Sequence, residues 1–302
     1  SRIADLAVTG SASVAGNLTL DGDLTVVGAF TVPSGFTVDV ADGVTLGVGS
    51  TLDVDGTLTA VDGCVNAGGT ITGSGSQPCG TPGVKTWIGG DAGGPTAFSN
   101  PANWSPNGVP TASDNVVIPL TGNEPIMSGN QTVQDIEVQT SATLDLGGNE
   151  LTVTRDLVAP GDLSNGTTIL TTSTGLAEGG VDDLVVASGA NRSVSGSLTA
   201  AGNLTVQGTL SVLHHYVGVD GDLSVEGSNG RLVMQNTSGI VDVAGSATFA
   251  GLGTNGFLTN GSLEVAGDLT STAAVSTQSF YATNDHEVVL DGGLQTIALA
   301  NT

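Results

Sequence analysis

Gly10-Ser-Ala-Ser-Val-Ala-Gly16-Asn-Leu-Thr-Leu-Asp-Gly22-Asp-Leu-Thr-Val-Val-Gly28-Ala-Phe30 decides the fold. Glycines fall every six residues at 10, 16, 22 and 28, and between them stands a short apolar phrase of the form Leu-Thr-Val. The phrase returns at 196–208 as Gly-Ser-Leu-Thr-Ala-Ala-Gly-Asn-Leu-Thr-Val-Gln-Gly. Each unit is too small to bury a core alone, so such units must stack, and the pattern predicts an all-β, elongated parallel β-solenoid. Leu18 and Leu20, Leu24 and Val26, Val38 and Val40, and Leu52 and Val54 are apolar pairs two residues apart, with Thr or Asp between them. That period-2 alternation is the signature of strands with one face inward.

Working outward, residues 3–72 read as one repetitive block, which assigns 1–72 to an N-terminal solenoid. The phrase Gly-Ser/Asp-Leu/Ala begins again at Gly196, Gly221, Gly245 and Gly267, a spacing of one coil each time. Repetition resumes by Val133, assigning 126–302 to a C-terminal solenoid. Three short strands plus turns make a coil of roughly 18–25 residues, so the repetitive parts hold about 11–13 coils. These long, irregular coils favour a right-handed β-helix over the left-handed form, whose six-residue period is stricter.

The stretch between the blocks, 73–125, has another character. Eight of the ten prolines and both tryptophans, Trp87 and Trp104, lie in it. Proline cannot donate to a strand ladder, so this segment reads as a junction, insertion or small side cap. Cys64 and Cys79 flank the Gly/Ser-rich start of the segment. We expect them to form a disulfide closing that loop, worth roughly 3 kcal/mol in the chain-entropy model.

Composition narrows the function. The 302 residues carry a net charge of −24 with five basic residues, so nucleic acid and anionic membrane surfaces are excluded as expected partners. No apolar run reaches transmembrane length, and direct membrane insertion is not expected. The chain opens Ser-Arg-Ile, which reads as a mature or trimmed product.

Catalytic patterns are absent. His214 and His215 are adjacent, so on a strand their rings point to opposite faces; the plainer reading is a surface bulge. His286-Glu287 lacks the second histidine of a zinc-protease helix, and Val288-Val289-Leu290 suits a strand. The Asp182-Asp183 pair resembles one element of β-helical polygalacturonases, whose other motifs are missing. There is no Gly-x-Ser-x-Gly, and Lys85 sits in no phosphate loop. The chain is therefore read as no enzyme and without a cofactor. Asp21 and Asp23, Asp53 and Asp55, and Asp220 and Asp222 place carboxylates two apart at turns. They are the weak candidates for Ca2+, beside the plainer reading that Asp simply forms turns.

The segment Trp87-Ile-Gly-Gly with Asn100-Pro-Ala-Asn-Trp-Ser-Pro-Asn-Gly-Val-Pro110-Thr-Ala-Ser-Asp114-Asn-Val-Val-Ile-Pro resembles one found in secreted bacterial β-helix surface proteins, including autotransporter-like passengers. The resemblance implies an extracellular or cell-surface location. The Leu-Thr-Val-x-Gly phrases are also similar to those of bactofilins, which are polymerising β-helices.

Two functions follow as expectations. Alternation reaches almost to both ends of the sequence, at Ile3, Leu6, Val8 and Val14 and at Leu290, Leu294, Ile297 and Leu299, with no amphipathic helix to cover them. Uncovered solenoid ends favour head-to-tail contacts that build an open filament, so the leading expectation is a secreted structural subunit whose partner is itself. The alternative is a β-helical adhesin or carbohydrate-binding passenger, a fragment of a larger surface protein, with Trp87 and Trp104 stacking on surface glycans. Against that stands the plainer reading of both tryptophans as the small core of their segment.

Overall fold

A computed structural model describes residues 2–41, 44–47, 49–60, 64–66, 70–72, 83–171 and 174–300. The chain is a parallel β-solenoid divided into two compact units, 1–84 with 110–115 and 85–109 with 116–302. The only helical turn among the described residues is a short 3-10 segment, Pro101–Asn103.

In the first unit each face of the solenoid is a four-stranded parallel sheet. The first face stacks Arg2–Ile3, Leu18–Leu20, Thr37–Val40 and Thr57–Ala60; the second stacks Leu6–Val8, Leu24–Val26, Val44–Leu46 and Cys64–Asn66. The third stacks Ser11–Ser13, Ala29–Val32, Thr51–Val54 and Thr70–Thr72. Like residues stand on like. Leu6 pairs with Leu24, Leu24 with Val44, and Phe30 with Leu52. The interior is a column of aliphatic side chains around Phe30, with Leu20, Leu24, Val26, Val32, Leu46 and Leu52 all sealed from solvent. Proposed partner Cys79 lies outside the described residues, as does the side chain of Cys64.

The second unit begins with the Pro/Trp-rich segment. Val84–Trp87 pairs antiparallel with Trp104–Ser105, placing Trp87 opposite Trp104. Parallel stacking starts before Val133: Gln139 N–H donates to the Ile118 carbonyl, and Ile126 bridges Asp145. From there two long columns define the core. One runs Val133, Val153, Leu170, Val186, Val206, Val225, Phe249, Ser271, Leu299. Another runs Leu144, Leu163, Val181, Ala200, Val219, Val243, Val265, Leu290. Coil length varies from 16 residues between Leu170 and Val186 to 28 between Ser271 and Leu299, wider than the sequence spacing suggests. The loops absorb the difference and the columns do not.

Strands are also longer than expected in one place. Leu157–Leu170, Gly175–Val186 and Asn191–Ala200 run for 14, 12 and 10 residues because they turn the solenoid corner without breaking. Glycine makes this possible. Gly179 has φ +105°, and a Cβ there would overlap the Ala159 backbone of the preceding coil.

Candidate functional site: corner ladder and terminal coils

The structure explains the repeated phrase residue by residue. In the second unit a corner residue, preceded by glycine at Asn203, Asp222, Ser246 and Asp268, uses its side chain to accept the backbone N–H of the matching residue one coil later. Asp183 Oδ1 accepts from Asn203 N (2.7 Å), Asn203 Oδ1 from Asp222 N (2.9 Å), and Asp222 Oδ1 from Ser246 N (2.7 Å). Ser246 Oγ then accepts from Asp268 N (3.1 Å), and Asp268 Oδ1 from Thr296 N (2.7 Å). In return the next residue's N–H donates to the rung carbonyl of the following coil, as Leu204 N does to Asp222 O and Leu223 N to Ser246 O. Where glycine precedes the rung it is equally constrained, since a Cβ on Gly221, Gly245 or Gly267 would overlap the glycine backbone one coil before it. The first unit uses the same device: Asp23 N donates to Asp5 Oδ1 (3.0 Å) and Leu6 N to Asp23 O.

The acidic turns are thereby accounted for by the coil architecture. Asp222 is a ladder rung, and Asp53 accepts the Thr72 hydroxyl at 2.8 Å. Asp23 gives its amide to Asp5. The other three mark coil turns through their backbones: Asp21 N–H donates to the Ile3 carbonyl (2.8 Å), Asp55 N–H to the Val32 carbonyl (2.9 Å) and Asp220 N–H to the Ala200 carbonyl (2.9 Å). Asp55 is exposed, at the end of the strand Thr51–Val54. Among the described residues no three of His, Cys, Asp and Glu converge to hold a metal ion. Asp21, Asp23, Asp53, Asp55, Asp220 and Asp222 are thus not gathered with a third acidic side chain, and the contacts above are those of coil turns. Asp182 and Asp183 hold amides of two different coils, Gly166 N (3.0 Å) and Asn203 N (2.7 Å).

Trp87 and Trp104 are interior. They are 0% and 1% exposed, their rings meet edge-to-face at 5.0 Å, and Phe98 meets Trp104 at 4.8 Å. Trp87 Nε1 donates to Asn123 O and Trp104 Nε1 to Phe98 O, both at 2.7 Å. Buried Asn103 accepts from Asp91 N and donates to Gly94 O and Ala97 O, while Asn100 caps the 3-10 turn. The Trp and Asn positions of the sequence motif thus build one small core. A sugar ring needs an open aromatic face, and neither indole offers one, which corrects the glycan-contact expectation.

Four basic side chains are described, and each is engaged within the chain. Lys85 Nζ donates to the Pro106 and Asn107 carbonyls; Arg155 forms a two-pronged pair with Asp135; Arg231 lies 4.0 Å from the Phe257 ring centre. The hydrogen bond to Asp135 raises the Arg155 pKa. Arg192 is fully buried in a column shared with Leu210 and Leu232, and its guanidinium donates to the Val153 carbonyl at 3.2 Å. Burial lowers its pKa to about 10, against the opposing pull of Asp156 and Asp135. A Cβ on Gly175 would overlap this guanidinium, so that glycine is the opening through which Arg192 crosses a coil. Nothing in the sequence pattern distinguishes Arg192 from a surface residue.

The histidines also depart from the strand reading. Leu213, at φ +54°, turns the chain so that the His214 and His215 rings lie side by side at 4.0 Å on an exposed turn. His286 precedes the strand Glu287–Leu290, and its Nδ1–H donates to the Asn260 carbonyl at 2.9 Å.

Exposed apolar side chains occur along the chain, among them several in the first and last coils described. In the last coil Ile297 and Leu299 are 55% and 43% exposed, although their column partners Leu269 and Ser271 are buried. Leu294 is wholly exposed, and Leu290 half-buried. In the first coil Ile3 is exposed and Leu6 and Val14 half-buried, while Val8 is already covered. Gln295 occupies part of the final edge: its Nε2 donates to the Val265 and Gly267 carbonyls. Leu290, Ile297 and Leu299 are thus the half-buried or exposed column positions of the last coil described, and Ile3 and Leu6 those of the first.

Among the described residues no helix is long and apolar enough to cross a membrane. A family model described as a domain of unknown function, DUF8693, matches residues 86–180, the Trp core together with the first coils stacked after it. Neither a curated protein nor a solved structure matches the chain.

Proposed function

We propose that this chain is a structural building block of an extracellular or cell-surface filament, joining copies head to tail through its terminal coils. The observation carrying the proposal is the exposure of column positions at both ends, Ile297 and Leu299 in the last coil and Ile3 in the first. Column residues one coil inward, Leu269 and Leu20, are buried. Strand addition across such edges supplies backbone hydrogen bonds and buries the apolar column, with no cofactor required. The location follows from the resemblance of the Trp/Pro segment to secreted surface proteins. Glycan recognition through Trp87 and Trp104 loses support because both rings are interior.

A net charge of −24 opposes assembly, so filament growth should need salt or millimolar divalent cation. Negative-stain electron microscopy across that range tests the reading. Fibres that lengthen with ionic strength support it; particles that stay single under every condition refute it.

A further inference from the structure

Two imidazoles stand apart from the hydrogen-bond network of the coils. His286 gives its Nδ1–H to the Asn260 carbonyl. His214 and His215 instead lie with ring centres 4.0 Å apart and planes tilted by 36°, and among the described residues neither ring makes a hydrogen bond to the chain. On a straight strand, adjacent residues would send these rings to opposite faces. The turn brings them together.

Leu213 makes that turn at φ +54°, whereas the other left-handed positions among the described residues are glycines, Ser141, Asn165 and Asn284. A bulky residue in this region is a genuine outlier, and the leucine side chain, 43% exposed, recovers little by burial. Such a conformation persists only where the surrounding structure enforces it. Here it does. Val212 and Val217 on either side are buried, His215 N–H donates to the Val212 carbonyl (3.2 Å), and Ile240 N–H of the next coil donates to the His215 carbonyl (3.0 Å). The pair is therefore mounted on a fixed turn, with His214 exposed and His215 half-buried.

We propose that His214 and His215 form a surface site for a divalent transition-metal cation, bound by one nitrogen from each ring with water in the remaining positions. Neutral imidazole is a ligand for Cu2+, Ni2+ and Zn2+. Two nitrogens bound to one ion at about 2.0–2.1 Å each stand no more than about 4.2 Å apart, and rings with centres 4.0 Å apart reach that range by side-chain rotation alone. Among the described residues no third His, Cys, Asp or Glu converges on the pair, so the site is open. Its ligands are nitrogen, which selects against Ca2+ and Mg2+, cations that take oxygen. With only two protein ligands the affinity follows the metal's own order, Cu2+ above Ni2+ and Zn2+. Nearby charge draws cations in. The next residue, Tyr216, donates its hydroxyl to Asp242 at 2.9 Å, and its phenol pKa is pushed up to about 12 by burial and then by Asp242, Asp220 and Glu264.

Copper titration of the full chain, followed by electron paramagnetic resonance, tests the site. One equivalent of Cu2+ should give a spectrum with nitrogen couplings from two imidazoles, and millimolar Ca2+ should leave it unchanged. His214→Gln or His215→Gln should weaken Cu2+ binding about tenfold or more, because each removes one arm of a two-armed site. His286→Gln, whose ring is tied to the Asn260 carbonyl, should bind as the native chain does. If a variant loses its fold, the native chain still decides: Cu2+ should broaden the ring proton resonances of His214 and His215 before those of His286. A folded double variant, His214→Gln with His215→Gln, that binds Cu2+ as the native chain does overturns the site. So does a native spectrum without imidazole nitrogen, or copper binding that millimolar Ca2+ abolishes.

Discussion

Asn203 stands between Asp183 and Asp222 in the corner ladder, and Ser246 between Asp222 and Asp268, so no two carboxylates occupy successive rungs there. Coils stack about 4.8 Å apart, a distance at which facing like charges destabilise a sheet. Asn203→Asp should therefore lower stability at low salt, and raising NaCl should recover much of the loss in urea titrations. Asn203→Ala removes the acceptor and should cost about 1 kcal/mol with no such salt recovery. Arg192→Leu is expected to be neutral or stabilising in the same assay, because a buried charge gives way to the residue type of its column partners Leu210 and Leu232. His286 carries a pH dependence of known sign. Burial lowers its pKa in the fold, against the weaker opposing effect of the Asn260 carbonyl. The unfolded chain thus takes up the proton first, and stability falls as pH drops from about 6.5 toward the folded value. Between pH 7.5 and 5.0 the urea midpoint should fall further for the native chain than for His286→Gln.

Among elements, the coil and the Trp core obey different rules. The coil needs glycine where one corner passes over the last, so Gly245→Ala should force its Cβ into the Gly221 backbone and shift both coils. The Trp core needs volume. Trp104→Ala should cost about 3–5 kcal/mol in that segment and open 85–109 to limited proteolysis, without a change in any glycan-array signal. Much of this was legible in the sequence, for physical reasons. Period-2 alternation and corner glycines report the solenoid because every coil repeats the same constraint, and clustered proline reports where the ladder stops. What escaped the sequence reading depends on contacts between distant coils. Arg192 reaches the Val153 carbonyl 39 residues away, and the long strands depend on corner glycines packed against preceding coils. Carboxylates two apart, such as Asp53 and Asp55, look alike in sequence; that one accepts the Thr72 hydroxyl of the next coil while the other pairs through its backbone with Val32 emerges only from the stacking. The His214-His215 turn depends on a leucine in the left-handed region, a conformation leucine rarely adopts.

On the scale of the molecule, stacked repeats make stability a sum of coil and neighbour terms, and a coil with one neighbour lacks half of its contacts. In the last coil described, Ile297 and Leu299 are exposed where their column partners one coil inward are buried. Sedimentation velocity over a hundredfold range of concentration, in millimolar divalent cation and physiological salt, tests end-to-end association most directly. The native chain should form species that grow with concentration, while Ile297→Lys, at a position already 55% exposed, should stay a folded single particle. Native protein that sediments as one unchanging species throughout, or an Ile297→Lys variant that assembles as the native chain does, would contradict the account.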